Sequence, residues 1–324
     1  MTENIVLLDV RNAGTSGDMF LSALVDFVGE DDALLPVVAS LLIYDPTLRV
    51  RFVSKTDQGF TGIAIETTKD SAIRFSPSSL QEMVSAVCEE LELSPKATQI
   101  ALNALNEILQ AESRAHETPI DKLHLHETGS VDTVLDLVGT AYLLERANLI
   151  ENTRFISTHV AVGSGVINTE HGPLEVPVPA VAEILVVNEI PFVMGEPKTE
   201  VLTPTGAAIL ATLAKEWIET ADDFIARQQG IGFGSRDLGD VPNLMRFLIG
   251  VFREDSETSP TVAKKDTKKV TPKKEPAVKD KKMEKKPEAP TEEKPSMIDS
   301  WTADDVIVIE TNVDDIDGEV MGTL

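Results

Sequence analysis

A short segment near the middle of the chain carries five side chains of types that bind metal ions. They are His124, His126, Glu127, Asp132 and Asp136. The two histidines alternate with leucines, so an extended backbone would project both imidazoles from one face. The two aspartates share one face of the helix predicted to follow. Imidazole binds nickel, zinc, copper or iron, and carboxylate binds magnesium or manganese. The spacing predicts a metal or substrate site; the alternative is that the acids cap the helix and the histidines face solvent.

A second candidate site follows the first predicted strand, in a turn that contains glycine and serine. Its candidate cofactor-binding residues are Gly14, Ser16, Gly17 and Asp18. A strand-to-helix turn of this kind presents backbone N–H groups that can hold phosphate or another anion. Asp18 would favour the helix dipole or hold a metal ion bound to that phosphate. The turn lacks the lysine of a Walker loop, and a tight turn with a good cap would need the same residues.

Two residues in glycine-containing loops are candidates for catalysis. His171 precedes a Gly-Pro pair, where a loop histidine is placed to act as an acid, a base or a metal ligand. Arg236 follows a glycine-rich segment, where its guanidinium can grip a phosphate or a carboxylate. The alternatives are a solvated histidine and an arginine paired with Asp237. The sequence has no Ser-His-Asp or Cys-His signature, which disfavours nucleophilic catalysis.

The elements that must position these residues alternate between strands and helices. Strands are predicted at 5–10, 49–54, 62–67, 156–162, 224–233 and 244–252, and helices at 18–28, 33–44, 78–91, 131–147 and 180–187. Ser78 and Gln81 form a predicted capping box, and further helices are expected to begin after Ser94 and Thr203, each followed by proline. The predicted fold class is therefore mixed α/β (α+β).

Composition excludes several classes of protein. The 324 residues include 42% hydrophobic and 26% charged side chains, the balance of a globular protein with a sizeable core. A net charge of −25 disfavours nucleic acid and anionic membranes as partners, and no apolar run is long enough to cross a bilayer. The single cysteine, Cys88, excludes a disulfide framework and is expected to pack in the core of a cytoplasmic protein.

The chain is predicted to have three parts. An α/β domain at 1–253 precedes a linker at 254–297, where 12 lysines and 7 acidic residues between 261 and 295 lie among prolines. Such a segment buries too little apolar surface to offset the entropy of ordering, so we expect a flexible tether. Residues 298–324 contain a predicted strand at 305–312 and an acidic turn, which we interpret as the incomplete start of a small C-terminal α+β domain.

Several ordered sequence blocks together resemble the LarC family of nickel insertion proteins. The blocks are DVRNAGTSGDM at 9–19, HLHETGSVDTVLDLVG at 124–139, GSG at 163–165, HGPLEVPVPA at 171–180, TPTGAA at 203–208, GIGFGSRD at 230–237 and ETNVDDIDGE at 310–319. The last block resembles the start of the family's C-terminal domain, which in the family continues further. The lysine-rich tether is also longer than the family's connection between the two halves.

The resemblance implies an enzyme that makes the nickel-pincer nucleotide cofactor of lactate racemase. Such an enzyme, a metal-chelatase type of lyase, binds pyridinium-3,5-bisthiocarboxylic acid mononucleotide and inserts Ni²⁺, consuming CTP in a step that needs Mg²⁺ or Mn²⁺. The family's CTP site is attributed to the C-terminal domain. The implied partners are the nucleotide precursor, a separate chain that supplies the C-terminal portion, and further copies of this chain.

Two other functions are compatible with the residues. A metal-dependent hydrolase would use the histidines and carboxylates to activate water, without CTP or the pincer precursor. A nickel-storage or delivery protein would bind the metal stoichiometrically and turn over no nucleotide.

Because residues 297–324 contain no lysine or arginine to neutralise a triphosphate, we expect this chain alone to bind CTP weakly or not at all.

Overall fold

A mixed sheet forms the centre of the molecule. The computed structural model describes residues 4–30, 32–67, 73–169, 172–253 and 306–308, which belong to one compact unit. The strands are β1 (Asn4–Asp9), β2 (Val50–Asp57), β3 (Phe60–Thr67), β4 (Thr153–Thr158), β5 (Val160–Gly163), β6 (Val166–Thr169), β7 (Gly172–Glu175), β8 (Phe192–Met194), β9 (Glu216–Ile218), β10 (Phe224–Phe233), β11 (Leu244–Phe252) and β12 (Val306–Val308). Across the described residues, eight of them follow the order β12-β2-β3-β10-β11-β1-β4-β9.

The sheet combines parallel and antiparallel neighbours. Strand β1 is parallel to β4 and antiparallel to β11, with Ile5 opposite Gly250. Strands β2 and β3 form an antiparallel hairpin, and β3 is parallel to β10. Strand β12 extends the edge beside β2. Two small sheets, β5 with β8 and β6 with β7, lie outside the main one.

The described part of the chain also contains seven α-helices, which pack on one another, and the first of them contacts strands of this sheet. The helices are α1 (Gly17–Val28), α2 (Leu35–Leu41), α3 (Pro77–Glu90), α4 (Pro95–Ala115), α5 (Val131–Arg146), α6 (Pro179–Val187) and α7 (Pro204–Leu213), with 3-10 turns at Ile120–Lys122 and Glu127–Gly129. The predicted mixed α/β class is confirmed. Among these helices, none is long and apolar enough to cross a membrane.

Close packing of α1 on β10 fixes where the first helix begins. A Cβ on Gly232 would collide with the backbone oxygen of Met19, and one on Gly230 with that of Ala23. Glycine in a strand permits this approach of helix to sheet. Phe27 of α1 then packs edge-on against Phe247 of β11, with ring centroids 5.1 Å apart. The glycine-rich segment therefore has a structural task, which is to seat α1 directly on the sheet.

The two helix starts predicted at Ser94-Pro95 and Thr203-Pro204 agree with the structure. The side chain of Ser94 accepts a hydrogen bond from the Ala97 N–H, and that of Thr203 from the Gly206 N–H. The predicted capping box at Ser78 is wrong, because the N-cap of α3 lies two residues earlier. Ser76 is the cap and accepts from the Ser79 N–H. Proline at the first helical position sets this start.

One predicted strand differs from the structure, and the segment around His124, which the alternation suggested to be extended, does not form a strand. The predicted strand 156–162 is two strands, because the chain changes sheets at His159. The His159 N–H bonds to Ile218 O of β9, whereas the next N–H bonds to Pro191 O beside β8. The segment around His124 is not a strand but lies between the two 3-10 turns. Its leucines are buried, as the alternation predicts.

Some sequence predictions fall on residues that the structure leaves undescribed. These are the linker at 254–297, most of the predicted C-terminal segment 298–324, and His171. The predicted strand 305–312 is described only as β12.

Cys88 is buried as predicted, and burial raises the pKa of its thiol to about 11.

Candidate functional site

The starts of four helices surround one cavity of about 450 Å³. Its wall includes the first residues of α1, α6 and α7, a first-turn residue of α5, the C-terminal end of α4, and the β6–β7 hairpin. These elements come from distant parts of the chain, and their apolar faces meet in the main core. The volume falls within the range of about 300–1,000 Å³ typical of small-molecule sites.

The helix N-termini make part of this cavity suited to anions. Within the described residues, the N-cap side chain makes no capping hydrogen bond at the start of α1, α5 or α6. The first N–H groups of a helix and its dipole attract negative charge. The starts of α1 and α7 are also joined, since the Gly17 N–H donates to Thr205 Oγ1 at 3.2 Å. This junction holds two positive helix ends side by side.

Arg236 adds a full positive charge to the cavity wall. Its guanidinium donates to the backbone oxygen of Glu200 and lies 3.3 Å from the carboxylate Oε2 of the same residue. Glu200 is buried, and burial raises the pKa of its carboxyl although Arg236 opposes this shift. A second cavity of about 110 Å³ shares Arg236 and Glu200 and is also lined by Asn243. Arg236 is thus held at the boundary of two cavities.

Two histidines lie on the cavity wall, and we call them the histidine pair. The rings of His116 and His126 have centroids 6.5 Å apart and planes tilted by 36°. His116 follows the last residue of α4, and its Nε2 lies 3.5 Å from Oε2 of Glu112, one helical turn earlier. The other carboxylate oxygen of Glu112 accepts a hydrogen bond from Thr128 Oγ1 at 2.9 Å. Glu112 therefore links α4 to the 3-10 turn that follows His126.

Three aspartates meet where α1 and α5 begin, and we call them the α1–α5 carboxylates. They are Asp18, Asp132 and Asp136. Burial raises the pKa of Asp136 well above its usual range, and the charges of Asp18 and Asp132 raise it further. Asp136 lies against Gly17, where a Cβ would collide with its carboxylate. Asp18 accepts a hydrogen bond from Ser16 Oγ and lines the cavity. The Asp136 carboxyl is thus a desolvated group beside two other acids.

The structure brings together about half of the residues singled out by sequence. Those that line the large cavity are Ser16, Asp18, His126, Glu127 and Arg236. His124 is exposed and does not line either cavity, although its neighbouring leucines are buried. Gly14 has a φ of +55° and fits closely against backbone oxygens of Val201 and Ala161, which gives it a structural task. Gly17 and Asp136 pack against each other behind the wall.

Across the described residues, no group of three or more His, Cys, Asp or Glu side chains is arranged to hold a metal ion. The metal and catalytic roles of the predicted residues therefore stay predictions. Sequence reasoning missed His116, Glu112, Glu200 and Thr205. The Glu-x-x-x-His spacing of Glu112 and His116 at a helix end was the one local signal for these two residues. No local sequence pattern predicts that they lie beside His126.

The sequence model of the nickel insertion protein family matches residues 6–324 of the chain. Among curated relatives named for nickel insertion, that of Methanopyrus kandleri is 39% identical over 247 residues, covering 76% of this chain and 60% of the relative. That of Methanocaldococcus jannaschii is 30% identical over 313 residues, covering 96% and 66%. That of Methanosphaera stadtmanae is 26% identical over 324 residues, covering 99% and 67%.

The chain spans about 60% of the length of the first of these relatives. No solved structure matches the chain. Because the family's sequence model runs from β1 through the end of the chain, the match includes every element that surrounds the cavity. The resemblance predicted from the sequence blocks is confirmed: the chain belongs to the nickel insertion protein family.

Proposed function

We propose that this chain is the part of a nickel insertase that binds pyridinium-3,5-bisthiocarboxylic acid mononucleotide and receives Ni²⁺ as a second substrate. The observation that carries the proposal is the 450 Å³ cavity in which helix N-termini and Arg236 share one wall with the histidine pair. Anion-binding groups and metal-binding groups thus face the same space. A reaction that joins a metal ion to an anionic nucleotide needs both.

The chemistry of the proposed nucleotide complements the cavity. Its phosphate and two thiocarboxylates are anions, which suit the start of α6 and the guanidinium of Arg236, both outside the α1–α5 carboxylates. Its pyridinium ring is a cation, and the carboxylates of Glu112, Glu127 and Glu200 line the same cavity. Arg236 is pre-oriented by Glu200, so little side-chain entropy is lost on binding.

The reaction is proposed to consume CTP with Mg²⁺ or Mn²⁺ and to yield the nickel-pincer cofactor used by lactate racemase. The family resemblance supports this finer statement, together with the cytoplasmic location and the metal-chelatase type of lyase chemistry. The C-terminal portion of the enzyme is proposed to contribute the nucleoside triphosphate site.

The proposal is tested by converting the bisthiocarboxylic mononucleotide with Ni²⁺ and Mg²⁺–CTP, and following the product by absorbance and mass spectrometry. The reaction is run with the chain alone and with the C-terminal portion of a relative added. We expect Arg236→Ala to weaken nucleotide binding roughly 10- to 100-fold, because a charged hydrogen bond contributes about 1.5–3 kcal/mol. Arg227→Ala, on the exposed part of β10, is the matched control. Hydrolysis of the nucleotide without nickel uptake would instead support a hydrolase.

The division of labour between the two portions gives a separate prediction. Calorimetric titration of CTP with Mn²⁺ into the isolated chain should detect weak binding or none, because residues 297–324 offer carboxylates but no cationic side chain for the phosphates. The same titration with the C-terminal portion added should give tight binding. Tight binding by the isolated chain would contradict the proposed division.

A further inference from the structure

We infer that His116 and His126 are the protein ligands that receive nickel at the cavity, with Glu112 as the positioning residue of His116. This inference rests on the proposed function, which it makes specific. It also departs from the sequence pattern, which pairs His126 with His124. The structure places His116 on the cavity wall and His124 away from it.

The spacing of the two rings suits one shared ion. With metal–nitrogen bonds of about 2.1 Å, two imidazoles on one ion have ring centroids roughly 4.5–6.5 Å apart, depending on the ligand angle. The observed 6.5 Å is at the upper end of that range. Imidazole is a good ligand for Ni²⁺. At the observed separation the two imidazoles would bind one ion from opposite sides, and binding at adjacent positions requires side-chain rotation that brings the rings closer together.

Glu112 supplies the partner that a metal-binding histidine usually has. Ligating histidines commonly direct the second ring nitrogen to a carboxylate, which fixes the ring and raises its basicity. Here Nε2 of His116 lies 3.5 Å from Glu112, so Nδ1 is the nitrogen assigned to the ion. The Glu112 side chain is 14% exposed and is itself held by Thr128. Thr128, in the 3-10 turn that follows His126, therefore holds Glu112, and Glu112 in turn orients His116.

Two protein ligands make an incomplete site, and that suits an ion that must leave. Among the described residues, no third His, Cys, Asp or Glu completes a set of metal ligands with them. The remaining coordination positions are open to water and then to the thiocarboxylate sulfurs of the nucleotide. Sulfur is a softer donor than imidazole, so nickel can pass from the histidines to the thiocarboxylate sulfurs without leaving the cavity. A closed four-ligand site would oppose this transfer.

The test is a titration of the full, metal-free chain with Ni²⁺ or Co²⁺ and no nucleotide, with X-ray absorption to count the bound imidazoles. We expect two imidazoles in the wild type and one in His116→Ala or His126→Ala, with affinity at least 10-fold lower in each. Glu112→Gln should keep two imidazoles and bind roughly 10- to 100-fold more weakly. His159→Ala, whose histidine lies outside both cavities, is the matched control.

The inference is overturned if His116→Ala binds like the wild type, or if His124→Ala loses an imidazole. Circular dichroism of each variant checks that it is folded, and the imidazole count reports on ligation separately from affinity. Failure of the proposed function has a different signature. It would leave the two-imidazole nickel site intact while the nucleotide remained unconverted with the C-terminal portion present.

Discussion

His126 of the histidine pair precedes Asp132 of the α1–α5 carboxylates by only six residues, yet the surroundings of the two groups differ. The imidazole of His116 is 35% exposed and faces the cavity beside a carboxylate that complements a cation. The Asp136 carboxyl is desolvated and has Asp18 and Asp132 as its charged neighbours, so ionisation is opposed. Metal-ligand residue types therefore do not define a site by themselves. Water access and the charge of the neighbours decide which group is ready for an ion.

The largest expected effect comes from disrupting the packing of the α1–α5 carboxylates, where Asp136 lies against Gly17. Gly17→Ala introduces a Cβ where the Asp136 carboxylate lies, so we expect the free energy of unfolding to fall by about 1–3 kcal/mol. Urea denaturation measures this change. In an Asp136→Ala background, most of the obstruction is gone, and Gly17→Ala should cost less. Equal costs in the two backgrounds would show that the contact is not the cause.

Removing the charge from Asp136 should stabilise the protein at neutral pH. The pKa of this carboxyl is raised in the folded state, so the unfolded chain releases the proton at lower pH. The free energy of unfolding then falls as the pH rises from the ordinary aspartate pKa towards the raised pKa of the folded state. The loss is about 1.4 kcal/mol for each pH unit of that interval. Asp136→Asn should abolish this loss, in denaturation curves measured with a chelator present.

The advantage of Asp136→Asn should shrink as the pH is lowered towards the usual aspartate pKa, where the wild-type carboxyl is protonated in both states. A pH-independent difference between the two proteins would contradict the assigned cause. Glu127→Gln is the matched control: it also removes one carboxylate, but from an exposed residue of the cavity wall instead of a desolvated one.

The smallest expected effect on stability is at the histidine pair. His126→Ala should change the free energy of unfolding by no more than about 0.5 kcal/mol, because the residue is half-buried at a cavity wall and not in the core. The same urea titrations measure it. A loss as large as that of Gly17→Ala would mean that His126 holds the fold together, and the contrast between the two groups would disappear.

Local sequence signals predicted most helix starts, since Ser94-Pro95 and Thr203-Pro204 determine their own caps. They also singled out Asp18 and His126, as parts of two separate candidate sites, and both residues line the large cavity. They did not predict the break between β4 and β5, because it depends on pairing with β8, thirty residues away. His116 was missed for the same kind of reason. Its position on the cavity depends on α4 packing against α6 and α7, and the local pattern carries no information on that packing.

The place of β1 in the sheet also constrains how the protein is made. The first strand of the chain lies between β4 and β11, and Ile5 pairs with Gly250. A ribosome must therefore synthesise nearly the whole of the main sheet before β1 has both neighbours. Contacts so distant in sequence slow folding, and until β11 emerges one edge of β1 is open to pairing with other chains. Translation products that stop before β11 should aggregate instead of accumulating as folded fragments.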